Sequence, residues 1–193
     1  MPARFSHSIG PCFPAAEGAR VDNRRKILSA ALLAVLAGPA IAGPFDRSPR
    51  DVGIAVNDRL RMAGLDLRFQ LERCEGRERI ECRFSSVRTF LVAIGRAEPP
   101  RIREIVIAAD LLSIDAAGDV HDHVTEAMAA LGATMEIFDA RLPPDRRSRL
   151  LADLPGTALR DGQSEGDGIT AHYSLAFDQG ADGRLTITTV PKR

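Results

Sequence analysis

The sequence predicts an α+β fold with about five mostly antiparallel strands and one long helix packed on a face of the sheet. Runs such as LDLRFQL at 65–71 and ITAHYSLAF at 169–177 alternate between apolar and polar residues, which is typical of half-buried strands. Between residues 124 and 142 apolar residues recur at steps of four and three, which indicates an amphipathic helix. The predicted order of elements is α-βββ-αα-ββ.

The composition is that of an ordinary globular chain. Of the 193 residues, 45% are hydrophobic and 27% are charged, which favours one soluble domain over a disordered or fibrous chain. The formal net charge is zero, so the composition does not indicate a nucleic-acid partner.

A secretory leader is the strongest local signal. The basic triplet RRK at 24–26 precedes an apolar run at 27–42 that ends in a small-x-small triplet, as signal peptides do. The run is shorter than the roughly 20 residues that cross a bilayer. We therefore predict cleavage near Ala42, which removes residues 1–42 and leaves 43–193 as a single mature domain. The mature protein is expected to be periplasmic or secreted and not to span a membrane.

Two cysteines, Cys74 and Cys82, remain after that cleavage. An even number of cysteines in an exported chain favours a disulfide. Seven residues separate the pair. This spacing disfavours the close thiols of metal clips and exchange motifs. The segment CEGRERIEC is predicted to be a braced hairpin.

The first elements follow from local signals. Ser48, Pro49 and Asp51 have the residue types of an N-cap, a first-turn proline and an acidic third residue, which predicts a helix start. Apolar residues recur at helical spacing over 52–63, and Gly64 ends the helix.

Three strands are expected next, at about Leu65–Arg73, Ile80–Ile94 and Ile102–Leu112. The last two are separated by the Glu-Pro-Pro break at 98–100.

The predicted brace also sets a register for the first two strands. If the two cysteines lie opposite each other, Phe69 faces Val87 on the apolar side, and Arg68 faces Arg88. Like charges directly opposite each other are unfavourable unless a carboxylate or an anion lies between them. Arg68 and Arg88 are therefore a candidate anion-binding pair.

The second half of the chain predicts two helices and a hairpin. The long helix is expected from Asp119 to Leu142, and a short one over Asp145–Leu154 that ends at a Pro-Gly pair. The polar, Gly-rich residues 157–167 predict a mobile loop. Strands at about 169–177 and 184–190 then form a C-terminal hairpin.

One cluster has metal-ligand chemistry. Asp119, His121 and His123 lie within GDVHDHVTE and could supply carboxylate and imidazole ligands to zinc. Alternatively, Asp119 caps the long helix, and the two histidines then diverge because residues two apart on a helix point in different directions. His172 is the remaining histidine of the mature chain, and no nucleophile motif accompanies it.

The sequence favours an exported, non-enzymatic binding or interaction module without a cofactor. Its expected partners are a protein, a peptide, an envelope component or a second copy of the chain. The element order is similar to that of secretion-chaperone-like folds, which dimerise and hold peptides, although no motif accompanies the likeness. The alternative is an exported hydrolase, metal-dependent in one version, that uses His121 and His123.

Overall fold

The computed structural model describes residues 43–111, 117–178 and 183–193. The predicted leader and its cleavage site fall on residues 1–42 and lie outside the described residues. A helical turn, Pro49–Asp51, is capped by the Ser48 hydroxyl and leads directly into the first helix.

The α+β class is confirmed, and the order of the described elements is α-ββββ-αα-βββ. The prediction of five strands was wrong, because the described chain contains seven. The likeness in element order to secretion-chaperone-like folds is lost with it. The elements are α1 Val52–Met62, β1 Gln70–Glu75, β2 Ile80–Ser85, β3 Thr89–Ala97, β4 Pro100–Asp110, α2 Ala117–Phe138, α3 Pro144–Asp161, β5 Gln163–Asp167, β6 Ala171–Asp178 and β7 Arg184–Pro191.

All seven strands form one antiparallel sheet in the order β1-β2-β3-β4-β7-β6-β5. Strands β1 to β4 form one meander and strands β5 to β7 form another, and the two meanders meet where β4 pairs with β7. In this pair Ile107 lies opposite Ile187. Both residues are fully buried and belong to one core with Leu131, Met135 and Phe138 of α2. The alternation of the central strands therefore places one face of the sheet against the helices.

The opposite face of the sheet is half-exposed. Val92, Val106, Thr188 and Ser174 lie side by side across β3, β4, β7 and β6, and each is only partly buried. No described helix contributes core residues to this face. We call it the open face. Among the described residues, no helix is both long and apolar enough to span a membrane.

The predicted disulfide is present, and the register around it is partly different. Cys74 lies opposite Cys82, and their sulfur atoms are bonded. A β-bulge between Leu71 and Arg73 then shifts the pairing by one residue, so that Leu71 lies opposite Phe84. The predicted pairs of Phe69 with Val87 and of Arg68 with Arg88 do not form.

Residues 65–69 also lie outside the sheet, although they were predicted to form the first half of the strand Leu65–Arg73. The side-chain amide of Asn57 on α1 donates to the Phe69 carbonyl at 2.9 Å and accepts from the Phe69 N–H at 2.8 Å. This side-chain clamp replaces a neighbouring strand and buries the Phe69 ring without ladder pairing.

The strand predicted over Ile80–Ile94 is two strands with a tight turn between them. The Thr89 N–H donates to the Ser86 hydroxyl oxygen at 3.1 Å, and the Ser86 N–H donates to the Thr89 carbonyl at 2.9 Å. Val87 is at the tip and is 89% exposed. The Ser-Ser pair at 85–86 is the turn signal that the apolar alternation concealed.

Helix α3 continues through Pro155 and Gly156, which were predicted to end it. Buried Leu154 and Ala158 repeat at helical spacing across the proline, and α3 packs on β5. Gly166 of β5 allows close contact, because a Cβ there would lie 2.7 Å from a methyl carbon of Leu150. This packing outweighs the local break, so the end of α3 and strand β5 together replace the mobile loop that was predicted over residues 157–167.

The remaining predictions differ less. Helix α2 ends at Phe138, four residues before predicted Leu142, which is buried just beyond the helix. The C-terminal hairpin is confirmed with the expected register, with Phe177 opposite Leu185.

Candidate functional site

The histidines predicted to bind a metal lie on the first turns of α2. His121 is exposed, and His123 is half-buried and already engaged with another group. Residues two apart on a helix point about 200° from each other. The side chain of Asp119 lies outside the described residues. No three His, Cys, Asp or Glu side chains that the structure describes are grouped to hold a metal ion. The metal site stays a prediction that the described geometry does not support.

The predicted anion pair is separated by the change of register. Arg88 lies in the turn after β2, where its Nη2 atom is 3.4 Å from Asp122 Oδ2. It lines a cavity of about 290 Å³ whose other charged residues are Asp66, Asp122 and Glu126. These carboxylates outnumber the single arginine and disfavour an anion. The anion site at Arg68 and Arg88 stays a prediction, without the pairing that suggested it.

His172 belongs to an ion-pair cluster at the end of the β5–β6 hairpin. Its Nδ1 atom lies 3.0 Å from Asp167 Oδ1, and its Nε2 atom lies 3.7 Å from Glu165 Oε2. Lys192 Nζ also lies 3.0 Å from Asp167 Oδ1. Hydrogen bonds from His172 and then Lys192 lower the pKa of Asp167. With carboxylates near both ring nitrogens, His172 is placed to bridge two strands rather than to activate a hydroxyl group.

A buried carboxylate, Asp139, was not identified from the sequence. It follows α2 and accepts hydrogen bonds from the Ile169 N–H at 2.8 Å, the Thr170 N–H at 3.1 Å and the Tyr173 hydroxyl at 3.3 Å. The Thr170 hydroxyl is 3.0 Å away. Burial, and then the negative charge of Asp139, raise the pKa of Tyr173. These donors commit Asp139 to holding the β5–β6 turn against the end of α2.

A concave feature lies at the end of the sheet that carries the β1–β2 and β3–β4 loops. A cleft of about 610 Å³ adjoins a smaller lobe of about 130 Å³, and the two share Glu78 and Arg96. We call the two together the basic cleft. Four arginines and two glutamates give its lining a net charge of +2. The lining residues are Arg77, Glu78, Arg79, Gly95, Arg96, Ala97, Glu98 and Arg103.

The disulfide-braced hairpin positions one wall of this cleft. Residues 76–79 connect β1 to β2 directly beyond the Cys74–Cys82 bond. Gly76 has φ +96°, and a Cβ on it would lie 1.9 Å from the Arg79 carbonyl oxygen. Only glycine fits this turn without strain, so the brace and the glycine together hold the loop arginines in place.

A β-bulge positions the opposite wall. Ile94 pairs with Glu104 and Gly95 pairs with Ile102, so Arg103 is the extra residue of β4. A Cβ on Gly95 would lie 2.1 Å from the Arg101 carbonyl oxygen, which shows how closely the two strands approach. A bulge redirects its side chain, and here Arg103 lines the same lobe as Arg96.

The sheet contains two pairs of directly opposed arginines, one between β1 and β2 and one between β3 and β4, and their surroundings differ. Arg73 lies opposite Arg83 in the first pair. There Arg73 Nε is 3.5 Å from Glu75, and Arg83 Nε is 3.1 Å from Glu72 without hydrogen-bond alignment. The Arg83 guanidinium also lies 4.4 Å from the centre of the Phe90 ring. Each arginine of this pair therefore has a carboxylate within ion-pair distance.

The second opposed pair, Arg96 with Arg101, is not compensated in this way. Neither side chain forms an ion pair with any residue that the structure describes, and the same holds for Arg77, Arg79 and Arg103. Opposed like charges are unfavourable in a strand pair. Among the described residues, the opposed arrangement that was predicted for Arg68 and Arg88 is therefore found, without an ion pair, at Arg96 and Arg101.

Sequence reasoning missed the basic cleft for an identifiable reason. Arg77 and Arg79 belong to the segment CEGRERIEC, which was predicted only to be a braced hairpin. The approach of Arg103 to Arg96 depends on a bulge, which has no sequence signal here apart from Gly95.

Comparisons with known proteins do not assign this site. No protein-family model, curated protein or solved structure matches the chain.

Proposed function

We propose that this chain is an exported, non-enzymatic binding module that holds an anionic ligand in the basic cleft. Export is inferred from the leader pattern, and the disulfide weakly fits an oxidising compartment outside the cytoplasm. Of the partner classes expected from the sequence, an envelope component with anionic groups fits this cleft best.

The observation that supports the proposal is the set of uncompensated arginines. Four guanidinium groups line the cleft, and none is paired with a carboxylate in the described part of the chain. The neighbouring pair, Arg73 and Arg83, shows that carboxylates are placed beside opposed arginines elsewhere on the same sheet. An anionic ligand would supply the negative charge that the cleft arginines, Arg77, Arg79, Arg96 and Arg103, lack.

The chemistry of the lining favours binding over turnover. The guanidinium group supplies hydrogen-bond donors and positive charge, and it is not a group that enzymes use as a general acid or base. The cleft lining contains arginine, glutamate, glycine and alanine, and lacks serine, cysteine, histidine and lysine. The arginines can hold and orient an anion, whereas Glu78 and Glu98 have no hydroxyl, thiol or amine nucleophile in the lining to activate.

Calorimetric titration of the mature protein with citrate, sulfate and phosphate tests this proposal. We expect saturable binding of at least one anion that weakens as salt is added, because the lining is exposed. Arg96→Gln should weaken that binding about tenfold, the loss of one charge-assisted interaction.

Arg149→Gln is the matched control, because Arg149 lies on α3 and pairs with Asp145. It removes the same charge and should change the affinity less than about twofold, since exposed pairs contribute little. Absence of binding by all three anions, or equal losses in the two variants, would contradict the proposal.

A further inference from the structure

We infer that the ligand is a phosphorylated polyol whose phosphate monoester occupies the smaller lobe of the basic cleft. This inference rests on the proposed function and names the chemistry that the same site recognises. It follows from the difference between the two lobes in shape, charge and hydrogen-bonding groups.

The smaller lobe fits a tetrahedral dianion better than a carboxylate. Arg79, Arg96 and Arg103 reach it from three separate segments, the β1–β2 loop, β3 and the β4 bulge. A planar carboxylate is matched by the fork of a single guanidinium, whereas a phosphate monoester presents three acceptor oxygens to several donors. Glu78 is the one acidic side chain of the lobe, so its net charge is +2. A phosphate monoester carries a charge of about −1.5 to −2 at pH 7.

The larger lobe fits an uncharged group rich in hydroxyls. Its charged residues are Arg77, Arg96, Glu78 and Glu98, whose charges cancel. Guanidinium groups donate hydrogen bonds and carboxylates accept them, which suits hydroxyls that do both. Its volume of about 610 Å³ lies within the roughly 300–1,000 Å³ of small-ligand sites. Because the lobe has no net charge, it offers a second anionic group no net attraction, and the rest of the ligand is expected to be neutral.

Two sources supply this chemistry, a free polyol phosphate and the headgroup of a phosphorylated lipid. Both present the same phosphate monoester to the smaller lobe. A soluble probe and a membrane probe distinguish them, because an exposed cleft is open to either source.

The soluble arm is calorimetric titration with glycerol 3-phosphate, inorganic phosphate, glycerol and citrate. Glycerol 3-phosphate should bind more tightly than inorganic phosphate, and glycerol alone should not bind. Arg103→Gln should weaken the binding of glycerol 3-phosphate about tenfold or more. Arg149→Gln should leave it within about twofold. Far-UV circular dichroism checks that both variants are folded.

The membrane arm is cosedimentation with phosphatidylcholine vesicles that contain or lack phosphatidic acid. Selective sedimentation with phosphatidic acid assigns the lipid source, and glycerol 3-phosphate binding without sedimentation assigns the free source. Either result supports the inference.

Three outcomes would overturn it. Equal affinities for inorganic phosphate and glycerol 3-phosphate contradict the polyol part. Citrate binding without binding of either phosphate contradicts the inference while leaving the proposed function intact. Absence of binding by all of these anions, in solution and on vesicles, contradicts both.

Discussion

Replacing Asp139 should be the most destabilising single change among the polar side chains described above. Asp139 is fully buried and lies at the junction of α2 with the β5–β6 turn. Asp139→Ala removes the acceptor of four donors, the Ile169 N–H, the Thr170 N–H and hydroxyl, and the Tyr173 hydroxyl. The Thr170 hydroxyl keeps a second acceptor in the Phe138 carbonyl.

The magnitude follows from the donors that lose their partner. A buried donor left without an acceptor costs about 1–3 kcal/mol. The Tyr173 hydroxyl is in a fully buried residue, whereas Ile169 and Thr170 are partly exposed and can recruit water. We therefore expect Asp139→Ala to lower the free energy of unfolding by about 3–5 kcal/mol. Tyr173→Phe removes one donor and leaves Asp139 with three, so its expected cost is about 1–2 kcal/mol.

Urea denaturation followed by far-UV circular dichroism measures both values, with the disulfide oxidised throughout. The double variant should cost less than the sum of the single variants, because the two side chains share a hydrogen bond. A cost for Asp139→Ala below about 1 kcal/mol would show that the carboxylate does not hold the turn in place.

Three further predictions concern the tyrosine, the disulfide and the cleft turn. The chain has a single tyrosine, so ultraviolet absorbance reports the ionisation of Tyr173 alone. Because the pKa of Tyr173 is raised in the folded state, its hydroxyl should stay protonated above pH 10. The unfolded phenol ionises near pH 10, so the stability that Tyr173 contributes should decline as the pH rises above that value. Ionisation near pH 10 in the folded protein would refute the buried hydrogen bond. Protein of residues 43–193 made in an oxidising compartment should show no free thiol before reduction and two after it, and replacing both Cys74 and Cys82 with serine should lower the unfolding free energy by about 2–3 kcal/mol. An unchanged denaturation midpoint would contradict this. Gly76→Ala should lower the free energy of unfolding by about 1–3 kcal/mol and weaken anion binding, because the added Cβ meets the Arg79 carbonyl oxygen. An unfolding free energy and an anion affinity equal to those of the wild type would exclude a role for this turn.

The parts of the fold that sequence predicted correctly are those in which one local pattern determines the result. Alternation at Ile169–Phe177 and the return strand specify the C-terminal hairpin, because both apolar faces must meet the same core. The cysteine pair was predictable because an exported chain with two thiols has one intramolecular pairing to make.

The errors occurred where a tertiary contact outweighs a local pattern. Alternation at Leu65–Leu71 is typical of a strand, but the Asn57 amide takes the backbone groups of Phe69. Pro155 is a helix breaker by itself, yet the packing of Leu154 and Ala158 continues the helix through it. Neither contact can be inferred from the residues adjacent to it.

The basic cleft was beyond prediction for a related reason. Its arginines come from the β1–β2 loop, β3 and β4, and their convergence depends on the bulge that leaves Arg103 unpaired. A shift of one residue in that pairing would direct Arg103 elsewhere. The predicted register applied the argument from opposed arginines to Arg68 and Arg88, whereas the opposed pairs in the described sheet are Arg73 with Arg83 and Arg96 with Arg101.

The most direct test of the basic cleft is nuclear magnetic resonance of the arginine Nε–H groups during titration with glycerol 3-phosphate. If the cleft holds the anion, the resonances of Arg79, Arg96 and Arg103 will shift with one common dissociation constant. Those of Arg73, paired with Glu75, and Arg149, paired with Asp145, will remain in place. Uniform small shifts of all arginines, or shifts confined to residues outside the cleft, would contradict the assignment of this site.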